Sequence, residues 1–85
     1  QINKYKNMSN KIKFLWDFRG PNSLKIAEHH CVHLREYATK EKLDYHQIEK
    51  QIISEMYTIA YLIIDKKDMD LHRKLLQPHR GQIVK

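Results

Sequence analysis

The densest run of chemistry-bearing side chains is His29-His30-Cys31-Val32-His33. His29 and His33 stand one helical turn apart, a spacing that lets two imidazoles reach one metal ion. Two ligands leave such a site open, and the helical metalloprotease pattern fails because His30 rather than a glutamate follows His29. One reading of the pair is a solvated polar face; the other is a metal or partner contact. His72 stands in a different setting, near the middle of an apolar arc of Met69, Leu71, Leu75 and Leu76. A histidine there either satisfies its nitrogens by hydrogen bonding or serves a ligand or proton-transfer role. Asp17, His30 and His72 are the candidate pocket residues.

A second group must be gathered from the two ends of the chain. Arg19-Gly20-Pro21-Asn22 and Pro78-His79-Arg80-Gly81 combine cations with glycines that let backbone approach a bound group closely. Arg19, Asn22, His79 and Arg80 are therefore the candidate anion-binding residues, with free N–H groups at the start of the following helix adding a preference for negative charge. The competing reading pairs Arg19 and Arg80 with Glu55 as surface ion pairs.

Whether these groups meet depends on the elements that carry them. Ile12, Phe14, Trp16 and Phe18 alternate with Lys13, Leu15 and Asp17, which predicts a strand over 11–18. Gly20-Pro21 breaks it, and Asn22 or Ser23 supplies a cap for a helix over 24–43, where Leu24, Ala27, Cys31, Leu34 and Ala38 form one stripe. His29, His33 and Glu36 lie opposite that stripe, with His30 and Tyr37 beside it. Residues 57–64 are dense in β-branched and aromatic types and predict a strand. For 48–53 two readings stand, a strand or a helical turn, because Ile48, Ile52 and Met56 also follow a spacing of four. Asp68 is the expected cap of a short helix through Leu76, stopped by Pro78, and 82–84 is expected to be a short edge strand.

Strand, helix, strand, strand, helix, strand defines an α+β fold, a four-stranded antiparallel sheet with two helices on one face. The layout over 11–85 resembles ferredoxin-like βαββαβ domains, including the dimeric α+β barrel superfamily. The strings Phe14 to Pro21 and Pro78 to Gly81 also look like those of small bacterial proteins of unknown function. This resemblance is one of topology and implies no activity.

The 85 residues leave room for one domain, 11–85, behind a polar arm over 1–10. Cys31 is the single cysteine, which excludes an internal disulfide and fits a reducing cytoplasm. The longest apolar run, Ile59 to Ile64, is far short of the ~20 residues that span a bilayer, and residues 1–10 lack the pattern of an export signal. The net charge of +6 invites nucleic acid. Yet Lys4, Lys6, Lys11 and Lys13 supply much of it, and the residues after them carry 12 basic and 10 acidic side chains. Phe14, Trp16, Tyr57 and Tyr61 could form a base-stacking platform, but the charges at Lys13 and Asp17 assign Phe14, Trp16 and Phe18 to the core, and the third strand lacks the glycine of that signature.

The open sheet face is then expected to show Lys13, Leu15 and Asp17 beside Thr58, Ala60, Leu62 and Ile64, an apolar surface suited to a homodimer. No Ser-His-Asp set, phosphate-binding glycine loop or cysteine pair is present, so catalysis has no positive support and no cofactor is expected. These residues favour a homodimeric cytoplasmic protein that binds a small, anionic ligand or a protein partner. A nucleic-acid module and a cavity enzyme of the dimeric α+β barrel type are the alternatives.

Overall fold

Alternation of apolar and polar side chains makes Lys11–Arg19 the first strand, β1, in a computed structural model that describes residues 10–84. The expected arm lies, Asn10 apart, outside the described residues. Gly20 ends the strand at a φ of +115°, which only glycine adopts without strain, and its N–H donates to the Met56 carbonyl at 2.7 Å. Helix α1 (Ser23–Lys40) follows, then β2 (Tyr45–Ser54), β3 (Tyr57–Asp65), a 3₁₀ turn (Lys66–Asp68), α2 (Met69–Leu76) and β4 (Arg80–Val84). The strands form one antiparallel sheet in the order β2-β3-β1-β4. Fold class and element order are those anticipated, α+β with β-α-β-β-α-β, and the strand order is compatible with a ferredoxin-like arrangement. Residues 48–53 are strand. Neither described helix is long and apolar enough to cross a membrane.

Register assigns the two faces of the sheet. Ile12 opposes Ile64, Phe14 opposes Leu62, Trp16 opposes Ala60 and Phe18 opposes Thr58. Directly opposed residues share a face, so these eight point together towards the helices. Thr58, Ala60, Leu62 and Ile64 therefore do not belong to the open face, contrary to the expectation from alternation; a one-residue difference in phase moves a whole strand's side chains to the other side. The open face instead carries Lys13, Leu15, Asp17, Tyr57, Ile59, Tyr61 and Ile63. Leu15 and Ile59 are only 3% and 6% exposed although no helix lies over them. Tyr61 and Arg80 flank Leu15 on the neighbouring strands, and Lys13 Nζ lies 4.2 Å from the centre of the Tyr61 ring. Long side chains screen this apolar floor with their stems.

Ala27, Cys31, Leu34 and Ala38 of α1 pack on the sheet, and three small residues in four let the helix approach closely. Ser23, not Leu24, completes the stripe. Its hydroxyl lies 3.2 Å from that of buried Thr58, so each polar group answers the other, while Leu24 is 37% exposed. Asn22 occupies the cap position but its side chain makes no capping bond, and the same holds for Asp68 before α2. The first helix stops three residues short of Leu43 because Lys42 turns left-handed at φ 54°, and the Leu43 N–H returns to the Ala38 carbonyl at 2.9 Å. That reversal tucks Leu43 into the core.

Helix α2 lies on the same face, where the Trp16 Nε1–H donates to the Leu76 carbonyl at 3.3 Å. Its inward side is Met69, His72 and Leu76; Leu71 and Leu75 of the expected arc are exposed. A helix eight residues long on one sheet face buries a single narrow stripe, and spacings of three and four from Met69 select it.

Face assignment has a direct consequence for stability. Leu62→Ala should cost about 2–5 kcal/mol in urea denaturation, and Ile63→Ala, on the open face, less than about half of that. Equal losses at the two positions would contradict the register.

Candidate functional site

Opposite the helices, at the end of β1 beyond the reach of β4, charged groups from three strands converge. Asp17 is their centre. The Arg80 Nε–H donates to Asp17 Oδ2 at 3.0 Å and one terminal nitrogen donates to Oδ1 at 2.8 Å, a two-pronged pair that fixes the guanidinium plane. The Tyr57 hydroxyl donates to Asp17 Oδ1 at 2.5 Å and accepts from Arg80 at 3.3 Å. On the same ring, the Arg19 guanidinium lies 3.9 Å from the centroid, as the register requires by placing Arg19 opposite Tyr57.

His79 closes the edge. β4 pairs with β1 only as far as Arg80 opposite Leu15, so the next outward N–H of β1, that of Asp17, lacks a strand partner. The His79 N–H donates to the Leu15 carbonyl at 2.9 Å, and its Nδ1 accepts from the Asp17 N–H at 2.8 Å. An accepting Nδ1 leaves Nε2 as the donor of the neutral ring.

These contacts hold the charges in place. The Arg80 hydrogen bond, aided by the Tyr57 hydroxyl and by the positive charge of Arg80, lowers the Asp17 carboxyl to about 2 despite some opposing desolvation. Arg80 is correspondingly raised by its bonds to Asp17. The carboxylate answers one arginine. Arg19 has no carboxylate partner among the described residues, and the second terminal nitrogen of Arg80 makes no hydrogen bond there. The expected alternative, Arg19 and Arg80 on Glu55, is not formed: Arg80 is taken by Asp17, and Arg19 by the ring of Tyr57.

Of the four candidate anion ligands, Arg19, His79 and Arg80 meet around Asp17 and Tyr57, while Asn22 stands at the start of α1 and makes no contact with them. The three pocket candidates are not brought together. Asp17 is on the open face; His30 and His72 are on the helical side. His30 sits against Trp16 and Phe18, with ring centroids 4.7 and 5.4 Å away, and its buried Nε2 has no partner among the described residues. Burial, first of all, lowers its pKa, which favours the neutral ring. His72, 7% exposed, receives its partner from α1, with Nδ1 2.7 Å from the Tyr37 hydroxyl. Cys31 is buried in the core and burial pushes its thiol up, away from the reactive thiolate. His29 and His33 flank His30 and Cys31 in the chain but are exposed on α1, turned away from the core.

A cleft of about 320 Å³ opens between α2 and β4, floored by Ile12, Phe14 and Gly81 and edged by Arg73 and His79. Arg80 borders it too, but its guanidinium is held on the other face by Asp17.

Sequence reasoning did not give Tyr57 the part of a hub for two arginines. The signal was the pairing of the first strand with the third: with the correct phase, Arg19 falls opposite Tyr57. Comparison of the chain with protein-family models, with curated proteins and with solved structures found no match. What the cluster does is therefore read from its side chains.

Asp17 links the cluster to pH. Its folded value lies below the ordinary 3.8, so ionised Asp17 stabilises the fold above about pH 4, and that contribution is lost as pH falls towards 2. Asp17→Asn should lower stability at pH 7 by on the order of 1 kcal/mol, discounted for the solvent around Arg80, and flatten the acid limb between pH 4 and 2. Urea titrations across that range check both effects, and an unchanged acid limb would count against them.

Proposed function

We propose that this chain is a ferredoxin-like domain that binds a small anion, of the phosphate, sulfate or carboxylate class, on the open face of its sheet. The observation that carries the reading is the convergence of Arg19 and Arg80 on the single ring of Tyr57, with only Asp17 to balance them. Arg80 is already oriented, so binding loses little side-chain freedom there, and its outer terminal nitrogen and the Arg19 guanidinium supply donors without first breaking the Asp17 pair. Nothing in the cluster resembles a nucleophile with its base, and the reading is binding rather than catalysis.

A nucleic-acid platform fits these side chains less well. Of the two open-face tyrosines, Tyr61 carries Lys13 over its ring and Tyr57 carries Arg19, so both rings already have a cation where a base would stack. A homodimer through the open face is the second reading, favoured by half-buried Tyr61 and Ile63 at its centre. It would cover the same arginines, so a bound anion and the dimer should oppose each other.

Sulfate or phosphate should raise the melting temperature of the wild-type chain more than chloride at matched ionic strength, and the excess should vanish in the Arg19→Ala, Arg80→Ala double variant. Amide shifts on titrating phosphate should centre on Arg19, Tyr57, His79 and Arg80. An equal salt response in both proteins, or shifts located elsewhere, would remove the anion reading. Sedimentation with and without phosphate separates the dimer.

A further inference from the structure

We infer that His29 and His33, on the outward face of α1, form a surface site for a divalent transition metal that prefers tetragonal geometry, Cu(II) or Ni(II), with Glu36 as its outer partner. The site is independent of the anion cluster. The two Nε2 atoms lie 2.8 Å apart, with ring centroids at 4.4 Å and planes crossing at 83°. Metal–imidazole bonds are about 2.0–2.1 Å, so two nitrogens stand about 2.9 Å apart across a right angle at the metal and about 3.4 Å apart across a tetrahedral one. The observed separation matches the right angle, so the two nitrogens need not move apart, and rotation of the exposed rings turns both lone pairs onto one metal. Tetragonal nitrogen and oxygen sites favour Cu(II) and Ni(II), and Cu(II) binds most tightly in the divalent series.

A neighbouring carboxylate already favours one arrangement of the pair. His33 Nδ1 lies 3.3 Å from Glu36 Oε1, one turn further along the same face. A carboxylate beside Nδ1 favours the tautomer of neutral His33 that carries its proton there and keeps the Nε2 lone pair for a metal. The 2.8 Å contact then runs from the Nε2–H of His29 to the Nε2 of His33. Metal binding replaces that shared proton. His29 moves it to Nδ1 through solvent, His33 changes nothing, and no net proton is released. Water completes the coordination, because no third His, Cys, Asp or Glu is grouped with the pair among the described residues. Neighbouring His30 packs on Trp16 and Phe18, and Cys31 faces the core, so neither joins.

Titration of the untagged full chain with CuCl2 and with NiCl2, by calorimetry and by electron paramagnetic resonance for copper, tests the site. His29, His33 and Glu36 are exposed, and alanine favours a helix, so His29→Ala and His33→Ala keep the fold. The wild type should bind one Cu(II) with an axial spectrum split by two nitrogens. Each histidine variant should lose at least tenfold in affinity, and Glu36→Gln about tenfold, the usual effect of removing an outer partner. Wild-type affinity in the histidine variants, or a spectrum with fewer than two nitrogens, would overturn the site. Wild-type affinity in Glu36→Gln would overturn the part given to Glu36.

Discussion

In an antiparallel pair the residues that stand directly opposite share a face, and the pairing of β1 with β3 makes that rule decide almost everything else in this protein. Phe14 opposite Leu62 and Trp16 opposite Ala60 put the bulk of both strands under the helices. The same register leaves Asp17 and Tyr57 on the other face and sets Arg19 across from Tyr57. A slip of one residue would bury Lys13 and Asp17 and expose Phe14 and Trp16, so the hydrophobic effect that fills the core also fixes the open-face cluster.

The cluster also solves a backbone problem. β4 is short, and where it stops the β1 edge still presents the Asp17 N–H. The imidazole of His79 takes the place of a strand carbonyl there, and the adjacent Arg80 then reaches the Asp17 carboxylate. Strand pairing, side-chain acceptance and charge pairing thus follow one another along a single edge. The result is a rigid arrangement in which two guanidinium groups approach each other through a tyrosine, tolerable because Asp17 sits between them in charge and because the surface stays open to solvent.

Helix α1 divides its labour by face. Its inward side is small, which brings the helix onto the sheet, and two turns of its outward side line up His29, His33 and Glu36, with His33 in contact with both. Its edge is tied to β2, where Arg35 donates to the Ile48 carbonyl at 2.9 Å and Glu28 lies 3.6 Å from Lys50. A helix held on two sides has little freedom to rotate, so the register of its outer face follows from the core beneath it.

Periodicity and turn chemistry in the sequence determined the order of elements, the core role of Phe14 and Trp16, the inward stripe through Ala27, Cys31, Leu34 and Ala38, and the outward side of His29 and His33, because each depends on neighbours a few residues away. Local signals did not fix the phase of β3, since Tyr57 to Ile64 is apolar on both faces and either alternation looks acceptable alone. They did not separate strand from helical turn at Ile48, which is settled by its place opposite Leu62. Nor did they show that Asp17 would take Arg80 while Arg19 turned to Tyr57, because those partners lie 63 residues apart for Asp17 and Arg80 and meet only through the sheet. Long-range pairing is a property of the assembled register, and only the tertiary structure decided it.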